Sequence, residues 1–192
     1  MDIIKEIEEY RPYNEQEQKD KELMLWFLKS NPDAFKRENT IAHMTSSCFI
    51  VDPSLEKTLF CYHKIYQSWS WLGGHADGEK DLLRVALKEA QEESGMTHIR
   101  PYDSKIFSLE SLCVNGHVKN GKYVSSHLHF NVTYLLIADM KESLHIKEDE
   151  NSGLKWFLLD DILTASSEPW FVEHIYPKLI EKTKDIRIHN HR

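Results

Sequence analysis

Residues Gly74–Met96 read GHADGEKDLLRVALKEAQEESGM, and this stretch says more about the chain than the remainder together. It joins a glycine turn to a helix expected over about 81–94, closed by Gly95 just past its end, where a left-handed backbone favours glycine. Glu92 and Glu93 lie three and four residues after Glu89, which puts three carboxylates on one helical face. Like charges so placed repel by about 0.2–0.5 kcal/mol per pair on an exposed helix. A helix built only for stability would stagger them or interleave lysines. Clustered oxygen ligands are what a divalent cation such as Mg²⁺ takes. The other face carries Leu83, Ala86, Leu87 and Ala90, enough to pack on a sheet. One side of the helix is therefore expected to be acidic and the other core.

Outward from this helix, segments 2–10 and about 14–30 read as helices, the second ended by Asn31-Pro32. Strands are expected at 43–51 and 57–63, a hairpin-like pair around Asp52-Pro53. The aromatic run 67–72 leads into Gly73-Gly74. Further strands are expected at about 106–114 and 127–138, separated by a loop over 115–126 with an Asn120-Gly121 turn. A short strand at 154–158 precedes helices at about 160–163 and 169–184. Strands interspersed with helices, without regular βαβ repeats, predict an α/β or α+β sandwich rather than a doubly wound sheet.

The 192 residues suit one domain, or one domain with an extension. A formal charge of −7 argues against a nucleic-acid partner, which needs a basic surface. A small phosphorylated substrate stays compatible, because metal ions can carry the positive charge. Cys48, Cys61 and Cys113 are odd in number and form no CxxC pair, so buried free thiols in a reducing cytosol are expected. The first 21 residues mix acids and bases without an apolar core, unlike a secretory signal. No run approaches the roughly 20 apolar residues that span a bilayer, so a cytoplasmic protein without membrane contact is expected.

The quoted stretch resembles the box of the Nudix hydrolase family, G-x5-E-x7-R-E-U-x-E-E-x-G-U with U apolar. Gly74, Glu89, Ala90, Glu92, Glu93, Gly95 and Met96 fall in register, seven of the nine defined positions. Lys80 stands where the first Glu belongs and Lys88 where the Arg belongs. The late Asp-Glu-Asn-Ser-Gly-Leu-Lys-Trp-Phe segment is also similar to bacterial relatives, and the resemblance extends over roughly residues 40–185. It implies a Nudix-like αβα sandwich with a mixed sheet over residues 41–192, preceded by an N-terminal helical extension at 1–40. It also implies a Mg²⁺- or Mn²⁺-dependent hydrolase of a diphosphate bond in a nucleoside diphosphate derivative or related small molecule. Glu89, Glu92 and Glu93 would hold the metal, with a Gly73 carbonyl completing the shell and Glu89 or Glu93 as base. A further base or ligand is expected from Glu150, with Glu148 as runner-up. Lysine at 88 keeps the charge but loses the arginine fork, which would loosen the geometry. At position 80 the family's acid is chiefly structural, and Glu79 is adjacent. Leu72 stands where many relatives carry proline.

Two other readings compete. A ligand-sensing module would keep the fold without catalysis, although it need not retain three repelling carboxylates. A Nudix-fold isomerase would need a reactive cysteine and acid, and no motif surrounds Cys61 or Cys113. Among the eleven histidines, His127 and His129 share one strand face and could chelate, while His43, His63, His75 and His117 are scattered elsewhere. No HExxH or Cys-His spacing supports a structural zinc site. The favoured functional reading has His75, His127 or His129, and Lys88 touching substrate phosphates; the alternative is core or sheet-surface histidines. His189 and His191 read as a frayed tail. Tyr66, Trp69 and Trp71 could stack a base, with core packing as the commoner role. Trp170, Phe171, Ile175 and Leu179 read as a packing face. The first 40 residues read as packing helices, with capping of a cleft or a homodimer interface as alternatives.

Overall fold

In chain order the elements are α1 (Ile3–Glu9), α2 (Glu15–Ser30), β1 (Ala42–Val51), β2 (Lys57–His63), β3 (Ser68–Ser70), β4 (Leu72–His75) and α3 (Leu82–Ser94). Next come β5 (Arg100–Pro101), β6 (Ser108–Val114), β7 (His117–Lys119), β8 (Lys122–Val124), β9 (His127–Ile137) and β10 (Asn151–Leu158). A 3-10 turn at Leu159–Asp161 runs into α4 (Ile162–Ala165), and a π turn at Phe171–Ile175 runs into α5 (Tyr176–Asn190). This computed structural model describes residues 2–119 and 121–190. Asn120 of the expected turn and His191 lie outside the described residues. The fold is mixed α/β, as the sequence predicts, with α1 and α2 as its N-terminal helices. Its sheet is mixed: β1 and β9 are neighbours that run the same way, while β2 pairs antiparallel with β1, β3 and β10.

The chain divides into two compact units, and β1, α3 and β9 each pass from the first into the second. The first comprises 1–47, 73–85 and 105–134. Here α2 packs on β6, and β6 pairs in register with the first part of β9 from Ser108↔Thr133 to Val114↔His127. Asn14 caps α2 by accepting from the Glu17 amide at 3.0 Å. Glu17 is fully buried, yet it is no orphan: it accepts from Tyr10 Oη (2.6 Å), the Tyr13 amide (2.7 Å) and Ser108 Oγ (2.8 Å). Glu110, also fully buried, accepts from Asn131 Nδ2 (3.0 Å) and Thr133 Oγ1 (2.9 Å). All ten residues of β1 are buried, and its hydroxyls are satisfied locally. Thr45 and Ser47 donate to Asn131 Oδ1, and Ser46 donates to the Leu82 carbonyl. A polar seam of this kind is tolerated in a core because each member is paired.

The second unit comprises 48–72, 86–104 and 135–192. Its strands lie in the order β10, β2, the end of β1, the end of β9, β5, with β3 on β2. The apolar core is aromatic: Phe60 meets Tyr176 at 5.1 Å between ring centroids, Trp69 meets Phe157 at 5.1 Å, and Trp71 meets Phe171 at 5.5 Å. Trp69 and Trp71 thus serve packing, and Tyr66 is the exposed one of the three. Ile175 and Leu179 pack as expected. Trp170 does not: it is exposed and rests on the His174 ring at 4.0 Å.

Four further local expectations differ from the structure. The 115–126 loop contains the β7–β8 hairpin, paired from His117↔Val124 to Lys119↔Lys122, with Gly121 at φ +73°. The last helix continues to Asn190, so His189 is helical rather than frayed. Cys113 is exposed, because β6 turns that position outward, whereas Cys48 and Cys61 are buried thiols. The buried stripe of α3 is Leu82, Val85, Ala86, Ala90 and Glu93, while Leu83 and Leu87 are only half-buried. Its acidic and apolar faces therefore overlap at Glu93.

Candidate active site

Helix α3 opens on Asp81, whose carboxylate accepts from the Arg84 amide at 3.0 Å. Glu79 accepts from the amides of Lys80 (2.8 Å) and Asp81 (3.0 Å). An acid thus supports the helix start from the position before Lys80, and its charge suits the positive end of the helix dipole. At the other end Gly95 takes φ +70° and donates to the Gln91 carbonyl. The turn before the helix is as tight as the sequence suggests. A Cβ at Gly73 would lie 2.7 Å from the Ser46 carbonyl oxygen and from Ser47 Cα, so only glycine lets β4 approach β1.

In the second unit the three glutamates differ sharply in exposure. Glu92 is open, Glu89 keeps a side-chain exposure of 13%, and Glu93 is buried at 2%. Lys88 Nζ lies 3.5 Å from Glu89 and 3.2 Å from Glu92. Lys147 Nζ sits 2.9 Å from Glu150 and 3.8 Å from Glu92. Lys88 therefore ties Glu89 to Glu92, and Lys147 ties Glu92 to Glu150 in the loop before β10. Asn151 fastens the same junction, donating from Nδ2 to the Glu93 carbonyl at 3.2 Å. The Glu150 carbonyl accepts from the Lys64 amide, and the Glu148 carbonyl from Lys64 Nζ. Glu150 is drawn to the glutamate helix, while the Glu148 side chain is exposed. Lys147 and Asn151 escaped the sequence reading; the signal available was that both lie within three residues of Glu150.

The electrostatics follow from this packing. Burial raises the Glu89 carboxyl, and Glu92 and Glu150 add to the rise against the opposing lysines. Hydrogen bonding to Glu92 holds the Lys88 ammonium in its charged form more firmly. Burial pushes the Cys48 thiol up, and Glu93 pushes it further; Cys61 behaves alike. Thiols so held are poor nucleophiles, which does not favour a cysteine-based isomerase.

The first unit gathers histidines that looked scattered in sequence. His43 on β1, His75 ending β4, and His127 and His129 on β9 bring their rings together, with His43 centroids 5.2 Å from His75, 5.1 Å from His127 and 4.9 Å from His129. Burial, then the neighbouring imidazoles, hold His129 down to about 2, so its ring is neutral at ordinary pH. His63 is not in this group: it stacks on Tyr66 in the second unit.

The family model described as the NUDIX domain matches residues 41–179, so the chain belongs to the Nudix family. Solved structures of the same fold include a C. elegans Ap4A hydrolase binary complex, 16% identical, covering 74% of this chain and 96% of that one, TM-score 0.53. An E. coli dihydroneopterin triphosphate pyrophosphohydrolase is 11% identical over 72% of this chain and 94% of its own, TM-score 0.54. A MutT protein from Methanosarcina mazei Go1 is 15% identical over 77% and 96%, TM-score 0.54. No curated protein matches the chain. Nudix family members are hydrolases of diphosphate bonds. No helix among the described residues is long and apolar enough to cross a membrane.

Proposed function

We propose that this chain hydrolyses a diphosphate bond in a small molecule, a nucleoside diphosphate derivative or a related compound, with Mg²⁺ or Mn²⁺. The observation that carries the reading is the ionic lacing of Glu89, Glu92 and Glu150 through Lys88 and Lys147 beside the buried Glu93. This donor set, oxygen-only and crowded with like charge, fits a hard divalent cation. Glu89, Glu92, Glu93 and Glu150 would hold it. When bound, the ion supplies Lewis acidity toward a phosphoryl oxygen and a lower pKa for coordinated water.

The chain's own residues supply the rest. Glu89 or Glu93 takes a proton from the attacking water as its oxygen bonds to phosphorus. The bridging oxygen departs with the other phosphoryl group, giving two phosphorylated fragments. Lys88 keeps Glu89 and Glu92 oriented as a point charge where an arginine would use a two-pronged fork. Lys147 holds Glu150 against the helix.

Turnover of a panel of nucleotide sugars, dinucleotides, ADP-ribose, modified nucleoside triphosphates and CoA, with and without Mg²⁺, tests the proposal. Metal-dependent release of two phosphorylated products from at least one member is expected. Tight binding of one member with no turnover of any would instead favour a sensor.

A further inference from the structure

We propose that His43, His75 and His129 form a second metal site in the first unit, for a divalent ion of the zinc class. Their ligand atoms all lie within 4.8 Å of one another, and they are the one such group of three among the described residues. The three side chains come from β1, β4 and β9, strands adjacent in the order β4, β1, β9. Tetrahedral zinc with bonds of about 2.0–2.1 Å brings its nitrogens to about 3.3 Å from each other. Small side-chain rotations of three neighbouring rings close that gap.

The tautomers point the same way. His43 Nδ1 donates to the Asn39 carbonyl at 3.1 Å, which leaves Nε2 with a lone pair. That Nε2 is buried and has no hydrogen-bond partner. A backbone carbonyl on one ring nitrogen and an unpaired lone pair on the other is the arrangement that orients a metal-binding histidine. A buried acceptor left unmet is costly in a ring with no metal task. His127 is arranged alike, its Nδ1 donating to the Ser125 carbonyl at 2.9 Å. Its Nε2 lone pair lies 3.2 Å from His129 Nε2, so His129 donates that proton to it. His127 is thus the positioning residue that turns the His129 ring, and the metal keeps an open coordination position.

The chemistry selects the ion. Imidazole donors suit zinc, copper, nickel and iron, whereas magnesium takes oxygen. The histidines and the glutamates of α3 therefore need not compete for one cation.

The test uses the full chain stripped of metal with chelator, then titrated with Zn²⁺ and, separately, Co²⁺. One zinc per chain is expected, with a rise in melting temperature and visible Co²⁺ bands of four-coordinate nitrogen ligation. His43→Gln or His129→Gln removes the bands, while His127→Ala weakens binding about 10–100-fold, as loss of an orienting partner does. Glu89→Gln/Glu93→Gln and His98→Ala keep the bands and the stoichiometry. Any of three results overturns the site: no zinc bound by the wild type, histidine variants binding as the wild type does, or binding lost in the glutamate variant. The wild-type Co²⁺ spectrum stands even if a histidine variant fails to fold. Because the readout is metal binding rather than turnover, failure here leaves the hydrolase proposal standing, and the reverse also holds.

Discussion

Lys147 shows how a single side chain assembles a site from distant sequence. Its ammonium lies between Glu92 on α3 and Glu150 in the loop before β10. Burial works against that charge, but Glu150 and the α3 glutamates outweigh it and raise the ammonium. We expect Glu150→Gln to lower kcat by about 10²-fold or more, the scale of a positioned acid–base group, and Glu148→Gln to leave it within a factor of two. Equal losses from both would contradict the assignment. The spacing of Glu89, Glu92 and Glu93 was legible because helical geometry turns steps of three and four into proximity. The burial of Glu93 was not, since it depends on the roll of α3. A second titratable group lies apart from this chemistry. Burial pushes Glu168 up to about 7 from 4.5, with a hydrogen bond from Ser70 offsetting part of it, and its Oε1 has no hydrogen-bond partner. The folded chain then holds a proton that the unfolded chain releases between those values. Stability should fall as pH climbs from about 4.5 to about 7, with a slope of at most about 1.4 kcal/mol per pH unit. Urea unfolding of wild type and Glu168→Gln across that range checks it, and the variant should lack this component.

At the scale of elements, α2 is tied to β6 by hydrogen bonds of the Glu17, Gln16 and Asp20 side chains. Glu17 accepts from Tyr10, Tyr13 and Ser108, so Glu17→Ala leaves several buried donors unmet. A loss of at least about 2 kcal/mol is expected in chemical denaturation. Asn14→Ala, which removes only the cap, should cost about 1 kcal/mol. Helices α1 and α2, strands β1, β2 and β9, and the span of α3 were readable from periodicity and punctuation. The β7–β8 hairpin was not, because three-residue strands rich in His, Lys and Val carry no alternation to distinguish them from a polar loop. The end of α5 was missed for a related reason: residues 185–190 are mostly polar, and Asn190 Nδ2 donates to Tyr102 Oη in the structure. The histidines on β1, β4 and β9 meet only once strand order is known, and strand order is not written in any one segment.

For the molecule as a whole, Nudix membership rests on residues 41–179, and the charge of −7 makes a metal the natural carrier of positive charge for a phosphorylated substrate. Chelation should therefore abolish turnover and Mg²⁺ or Mn²⁺ should restore it, whereas zinc occupancy at the histidines should register chiefly as thermal stability. Helices α1 and α2 lie outside the family match. The most direct measurement compares metal-dependent turnover of the wild type with that of Glu93→Gln on the best substrate of the panel. A fall of about 10²–10⁴-fold in kcat is expected, with the fold retained by circular dichroism. Unchanged metal-dependent turnover in Glu93→Gln would contradict it.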